Sequence, residues 1–234
     1  MKALILCGGY GTRYNLNNKV KILKPLLKIN RVSVLERIIN ICKEQGVNEF
    51  ILLGGYKFGE LKKFSKKFKN LNIKAVNTGL KTETGGRLLK VKNLIKKDEN
   101  FLFTYGDSLV DLDLKKNIKN KNIKNYIMSK FNYKIPYGVL DLRLNNKLKN
   151  ILEKKTILPI NAGFYILDKS IFSYIKNYQE SFEKTTINKI IKNKKKYFKC
   201  VEVKNWFPLD TYQDKYLLNH YIKFGSTNEE KRLK

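Results

Sequence analysis

Gly8-Gly9-Tyr10-Gly11-Thr12-Arg13 follows a short apolar run near the start of the chain. A glycine-rich turn after a buried strand lets backbone N–H groups approach and wrap a phosphate. Thr12 adds a hydroxyl, and Arg13 adds a forked cation suited to a triphosphate. Two better-known phosphate loops do not fit. A Walker loop needs Lys-Ser/Thr after its last glycine, whereas Gly11 is followed by Thr12-Arg13. The dinucleotide fingerprint needs a third glycine where Tyr14 stands. A plain strand-ending turn is the competing reading of these glycines alone. Lys24-Pro25 comes next. Proline biases the preceding residue to an extended form, so Lys24 can bring an ammonium back over the same phosphates.

Thr104-Tyr105-Gly106-Asp107 closes another apolar run. A carboxylate at the end of a core strand sits where a Mg²⁺ ligand is useful, with helix capping as the rival reading. Asp210, after Trp206-Phe207-Pro208-Leu209, is the second candidate ligand and also stands at a candidate helix start. Mg²⁺ takes one or two protein carboxylates plus substrate phosphates, so the pair serves if the fold brings them together. Asp111 and Asp113 read as caps of a helix beginning near Leu114. Thr84-Gly85-Gly86-Arg87 opens a predicted helix, where the glycines permit close backbone approach and Arg87 or Thr82 can bond a base edge or a phosphate. Glu153-Lys154 and Asn161-Ala162-Gly163 offer an acceptor, a cation and an amide to a hydroxylated, phosphorylated ligand; a pair of solvated loops is the bland reading. The single histidine, His220, lies in a predicted helix and reads as structural. A missing general base suits phosphate chemistry. A phosphate nucleophile is already anionic near neutral pH, with a second pKa of about 6, so transfer onto it needs positioning and charge neutralisation.

These residues need elements to hold them. Ala3 to Cys7, Phe50 to Leu53, Ile73 to Val76, Phe101 to Tyr105 and Tyr126 to Phe131 read as strands. Val34 to Gln45, Phe58 to Phe68 and Gly86 to Lys96 read as amphipathic helices between them, the first ended by Gly46. That alternation predicts a Rossmann-like α/β fold: a mixed, mostly parallel sheet with helices on both faces and ligands beyond the carboxyl ends of its strands. Later, Val139 to Leu142 and Leu148 to Leu152 flank Asn145-Asn146 as a hairpin. Phe164 to Leu167 and Phe198 to Val203 read as strands, and Ser170 to Tyr178 and Thr211 to Phe224 as helices. We expect one domain over 1–234, with a nucleotide-binding half at 1–131, a sugar-phosphate-binding half at 132–224 and a flexible tail at 225–234.

Bulk properties exclude several classes. Hydrophobic residues make up 42% of the 234, enough for a sizeable core. No apolar run approaches the roughly 18 residues of a membrane span. Cys7, Cys42 and Cys200 are too scattered for a metal site or disulfide framework, which points to a reducing cytoplasm. The net charge of +29 invites a nucleic-acid reading, but only six of the 49 basic residues are arginine and the lysines are spread along the chain. Base recognition favours arginine's planar fork, so a specific nucleic-acid partner is not expected.

Taken in order, Gly8 to Arg13, Lys24-Pro25, Thr84 to Arg87, Tyr105-Gly106-Asp107, Glu153-Lys154, Asn161-Ala162-Gly163 and Asp210-Thr211 resemble the sugar-phosphate nucleotidyltransferases, and among them the glucose-1-phosphate cytidylyltransferases. The resemblance implies Mg²⁺-dependent transfer of CMP from CTP to a sugar 1-phosphate with release of pyrophosphate. Another nucleoside triphosphate, or a phosphorylated acceptor other than glucose, is the alternative within the class. An inactive nucleotide-binding regulator is the alternative outside it. By resemblance Arg13, Lys24 and Asp107 are catalytic. Leu6, Cys7, Gly8, Gly9, Tyr10, Gly11, Thr12, Arg13, Lys24, Thr82, Arg87 and Gly106 surround the nucleotide. Gly138, Glu153, Lys154 and Asn161 face the sugar phosphate, and Asp107 and Asp210 hold the metal. A homo-oligomer is left open, since the cytidylyltransferases carry a contact-forming segment where Ile73 to Val76 here runs straight into Asn77-Thr78-Gly79. Two further departures are Lys155 in place of the family's proline and Ala162 in place of its glycine.

Overall fold

The computed structural model describes residues 1–16, 21–97, 99–111, 113–114, 125–193 and 195–224. In chain order the strands are β1 (Lys2–Leu6), β2 (Lys28–Ile29), β3 (Val32–Ser33), β4 (Glu49–Gly54), β5 (Asn72–Asn77), β6 (Phe101–Tyr105), β7 (Ser108–Val110), β8 (Tyr126–Lys134), β9 (Gly138–Leu142), β10 (Leu148–Glu153), β11 (Ile157–Leu167), β12 (Phe198–Glu202) and β13 (Trp206–Pro208). The α-helices are α1 (Thr12–Asn15), α2 (Val34–Glu44), α3 (Phe58–Ser65), α4 (Thr84–Leu89), α5 (Asn188–Asn193) and α6 (Tyr212–Phe224).

Strand β1 is buried along its whole length, as a strand covered on both faces must be. Ala3 and Ile5 pack with α2, Leu61 and Phe64 of α3, and Leu218 and Ile222 of α6. Leu4 and Leu6 point the other way, into a second core with Leu88, Phe103, Tyr165, Phe182 and Ile190. The main sheet has seven strands in the order β12-β8-β11-β6-β1-β4-β5. β5, β4, β1 and β6 run parallel, β11 is antiparallel to both β6 and β8, and β12 is parallel to β8. The mixed, mostly parallel sheet with helices on both faces is thus the architecture expected.

Register decides where the loops emerge. Leu6 sits beside Leu53 on one side and Tyr105 on the other. The segments following β1, β4 and β6 therefore leave the sheet at one level. The chain has moved outward through β4 and β5 and then returned to the far side of β1 as β6, which opens a crevice at that edge. The hairpin β9–β10 turns through a three-residue loop, Leu144-Asn145-Asn146, closed by hydrogen bonds from Asn146 N–H to the Arg143 carbonyl and from Arg143 N–H to the Lys147 carbonyl, with both asparagines at positive φ.

Several expectations are corrected. The helix expected over Gly86 to Lys96 begins at Thr84, ends at Leu89 and is followed by a separate 3₁₀ turn at Lys92–Leu94. The helix over Ser170 to Tyr178 is a 3₁₀ segment, Lys169–Tyr174, capped by the Asp168 carboxylate on the Ser170 N–H. The strand at Phe164 to Leu167 extends back to Ile157, because its first half pairs with β8. Strands β7 and β13 and the helical run Phe182–Asn193 were not expected. The Asp111 carboxylate accepts hydrogen bonds from the backbones of Lys204 and Asn205. The helix expected from Leu114 falls on residues 115–124, and the flexible tail on 225–234, both outside the described residues.

The Gly85-Gly86 pair serves the protein's own packing. Both N–H groups donate to the Glu180 carbonyl, and a Cβ on Gly86 would lie 2.0 Å from the Tyr178 carbonyl oxygen. We predict that Gly86→Ala lowers stability by about 1–3 kcal/mol through overpacking. Gly9→Ala, where a Cβ meets nothing within 4 Å, should change it by less than about 1 kcal/mol. Urea unfolding of the two variants checks this, and equal stabilities would refute the close contact.

Candidate active site

Four charged side chains from distant parts of the chain meet at the edge of the crevice. The Lys24 ammonium is 2.8 Å from Asp107 Oδ2 and 2.5 Å from Asp210 Oδ1. The Arg13 guanidinium is 2.7 Å from Asp210 Oδ2. Lys24 is buried, in a 3₁₀ turn whose first position is rigidified by Pro25. Burial alone would lower its pKa, but the Asp107 and Asp210 carboxylates outweigh that and hold it above the ordinary lysine value. The ammonium is therefore charged at neutral pH.

The two aspartates converge through β7 and β13. Ser108 pairs with Pro208 in that small antiparallel sheet, and the Leu209 N–H donates to the Asp107 carbonyl. Asp107 precedes a strand, so it caps no helix. Asp210 is spared that task by its neighbours. Thr211 Oγ1 accepts from the Asp214 N–H, and the Asp214 carboxylate accepts from the backbones of Thr211 and Asp210. This capping box closes the start of α6 and leaves the Asp210 side chain free to face Lys24 and Arg13.

The glycine loop is held by residues outside the motif. Asn15 donates to the carbonyls of Tyr10 and Ile22 and accepts from the Ile22 N–H, tying the loop to the segment that carries Lys24. Sequence reading missed Asn15, whose only signal is a buriable amide just after the loop. Gly11 is at φ +59°, in the left-handed region. Arg87 is buried and points its guanidinium at the Gly54 and Gly8 carbonyls and the Thr78 hydroxyl, at 2.9, 3.1 and 2.6 Å. It thus clips the end of β1 to the end of β4. Burial pulls its pKa below the ordinary arginine value, with Glu83 opposing. Thr82 donates to the Thr78 carbonyl. Cys7 lines the crevice, but burial pushes its thiol far up, so the group is an inert thiol.

The crevice has a volume of about 530 Å³. Leu6 to Gly11, Lys24, Thr82, Arg87, Tyr105 and Asp107 are all on its walls. A smaller pocket of about 230 Å³ adjoins it, lined by Arg13, Asn161, Ala162, Gly163, Trp206 and Asp210. Tyr105 and Asp107 belong to both. Gly106 lies beneath, where a Cβ would strike the Leu6 carbonyl at 2.8 Å. Gly138, Glu153 and Lys154 stand elsewhere, on the β9–β10 hairpin, and line neither pocket. His220 is exposed on α6 against the Phe224 ring. Two carboxylates sharing one ammonium, beside donors suited to phosphate, form an oxygen donor set that fits a hard divalent cation completed by phosphate oxygens.

The sequence profile of the Nucleotidyl transferase family matches residues 2–219. This chain belongs to that family. The nucleotidyltransferase is 30% identical to glucose-1-phosphate cytidylyltransferase of Salmonella typhimurium over 93% of this chain and 94% of the relative. It is 33% identical to D-glycero-alpha-D-manno-heptose 1-phosphate guanylyltransferase of Campylobacter jejuni, over 74% of this chain and 78% of that one. Its structure is similar to that of HddC from Yersinia pseudotuberculosis complexed with GMP-PN, with a TM-score of 0.69 and 26% identity over 92% of this chain and 96% of the other. Among the described residues, no helix of the nucleotidyltransferase is long and apolar enough to cross a membrane.

The two arginines of the nucleotidyltransferase are built differently, and that difference can be measured. Arg87→Met leaves buried carbonyls without donors and should lower the stability of the ligand-free protein by about 1–3 kcal/mol. Arg13, whose side chain is 76% exposed, should cost under about 1 kcal/mol when changed to Met. Denaturant titration of both variants decides; equal losses would show that Arg87 is not a strut.

Proposed function

We propose that this nucleotidyltransferase transfers CMP from CTP to a sugar 1-phosphate and releases pyrophosphate. The observation that carries the reading is the cluster of Arg13, Lys24, Asp107 and Asp210 where the larger crevice meets the smaller pocket. A polyphosphate laid along the glycine loop would bring its α-phosphorus to that junction, and an acceptor phosphate in the smaller pocket would face it. An oxygen of the acceptor phosphate attacks the α-phosphorus in line, the bond to the β-phosphate oxygen breaks, and pyrophosphate leaves with the electron pair. No proton has to be removed from the nucleophile.

Each residue then has a task. The backbone N–H groups of Gly8 to Gly11 and the Thr12 hydroxyl cradle the triphosphate. Arg13 and Lys24 stabilise charge gathering on the leaving pyrophosphate. Asp107 and Asp210 would hold Mg²⁺, which when bound neutralises phosphate charge and orients the reacting groups. Lys24 bridges the two carboxylates and shares the crevice wall with the glycine loop, where its ammonium faces the phosphates. Asn161 serves the acceptor pocket; Glu153 and Lys154 are assigned to the acceptor side on their motif alone. Thr82 and Arg87 shape the nucleotide end of the crevice.

CTP and glucose 1-phosphate are favoured by the cytidylyltransferase similarity over nearly the full chain. A second reading, GTP with a heptose 1-phosphate, is favoured by the Campylobacter relative and by the Yersinia structure with its guanine nucleotide analogue. Both use the same centre. Discrimination rests on shape and on groups matched or left unpaired in the crevice, where Leu80, Lys81 and Glu83 add to the walls.

Pyrophosphate release, measured with the four nucleoside triphosphates crossed against a panel of sugar 1-phosphates in Mg²⁺, should single out one pair. With that pair, Asp107→Asn and Asp210→Asn should each lower kcat by about a hundredfold or more, the scale on which loss of a transition-state charge partner is felt. Near-normal turnover of either variant would sink the metal assignment. Nucleotide binding without release for any pair would instead support a regulatory, non-catalytic protein.

A further inference from the structure

A hydrogen-bonded chain separates the two pockets, and its centre is a residue that none of the motifs includes. Glu183 Oε2 accepts from the Thr84 hydroxyl at 2.8 Å and from the Ser181 hydroxyl at 2.9 Å. Its other oxygen, Oε1, accepts from the Tyr105 phenol. The Phe182 N–H in turn donates to Thr84 Oγ1 at 2.8 Å, so the hydroxyl of Thr84 is oriented toward Glu183. On the far side, Tyr105 Oη lies 3.4 Å from Tyr165 Oη, and Asn161 Nδ2 donates to Tyr165 Oη at 2.5 Å. The line Thr84–Glu183–Tyr105–Tyr165–Asn161 thus starts at the wall of the larger crevice and ends in the smaller pocket.

Tyr105 is the partition. It lines both pockets and stands two residues before Asp107. Its ring fills the space above Gly163, where a Cβ would approach Tyr105 Cδ2 to 2.5 Å; Gly163, at φ +83°, is the residue that makes room. A ring packed on a glycine can shift as a whole by rotation about its Cα–Cβ bond unless the hydroxyl is tethered. The Tyr105 phenol donates to Glu183 Oε1, and that bond is the tether. Three hydroxyls converging on one carboxylate is an arrangement that a surface glutamate does not need. Glu183 is also carried on the Phe182–Ile187 turn, which Gly85-Gly86 clamp to α4.

We infer that Glu183 is a positioning residue for the acceptor: by holding Tyr105 and, through it, Tyr165 and Asn161, it fixes the wall against which a hydroxylated, phosphorylated ring is presented to the α-phosphorus. This rests on the nucleotidyl transfer proposed above and extends it to a residue that touches neither reacting atom. Thr84 and Tyr105 also line the larger crevice, but its phosphate-facing wall is held by the glycine loop and Arg87, so disturbing Glu183 is expected to act mainly on the acceptor.

The test is a steady-state comparison of wild type, Glu183→Gln, Tyr105→Phe and the double variant. It uses the preferred substrate pair, and thermal unfolding checks that each variant is folded. Each single variant should raise the acceptor KM about tenfold, the scale of one hydrogen bond to a charged group, with the nucleotide KM changed less than about twofold. The double variant should be no worse than either single one, since both remove the same link. Tyr105→Phe keeps the ring and the fold, so it stands in if Glu183→Gln does not fold. An unchanged acceptor KM, an equal rise in both KM values, or additive effects would overturn the assignment while leaving the reaction itself intact. If wild type neither releases pyrophosphate with any pair nor binds a sugar 1-phosphate by calorimetry, the acceptor reading fails and this assignment fails with it.

Discussion

One buried ammonium holds the site together. Lys24 lies between Asp107 and Asp210 and is bonded to both. Two carboxylates brought this close repel unless a cation sits between them. The protein's own lysine meets that requirement, and a divalent ion would also fit it in the proposed reaction. The ammonium is buried while the carboxylates are partly exposed, and a buried charge left unpaired is costly. The surrounding chain is accordingly built to keep the three groups in register.

That construction is distributed. Pro25 stiffens the turn that carries Lys24, and Asn15 ties this segment to the glycine loop through three hydrogen bonds. Pairing of β7 with β13 sets the spacing of the two aspartates, and the Thr211–Asp214 capping box satisfies the start of α6 without drawing on Asp210. On the opposite wall, Arg87 uses its donors on backbone carbonyls, so a cation that looks available in sequence works as a strut. The cations of the proposed phosphate site thus divide into exposed ones, such as Arg13, and ones consumed by the scaffold, such as Arg87.

The second half of the chain contributes less directly. Its strand β11 is the antiparallel member of the main sheet; it delivers Asn161 to the smaller pocket and the buried Tyr165 to the hydrogen-bonded chain behind it, which runs through Tyr105 to Glu183. The β9–β10 hairpin, with Glu153 and Lys154, forms its own two-stranded sheet. The smaller pocket is therefore walled by β11 and the β7–β13 ribbon, and the hairpin stands apart from it.

Local pattern was enough to show that this chain makes a mixed α/β sheet, because buried parallel strands are short continuous apolar runs and the helices between them repeat at helical spacing. The glycine loop, Lys24 and Asp107 were legible for the same reason: each sits at a strand end or beside a proline, where local geometry is dictated by neighbours in sequence. Strands β7 and β13 were not, since three residues carry too little periodicity to register and gain their structure from each other across 95 or more residues of chain. Glu183 lay hidden because nothing in Ser181-Phe182-Glu183 marks a site until folding brings Thr84 and Tyr105 to it. The sequence by itself determined which groups can do phosphate chemistry. Only tertiary structure decided which of them face a ligand and which are spent holding the protein together, because hydrogen bonds and ion pairs between distant segments are made by packing and leave no trace in local order.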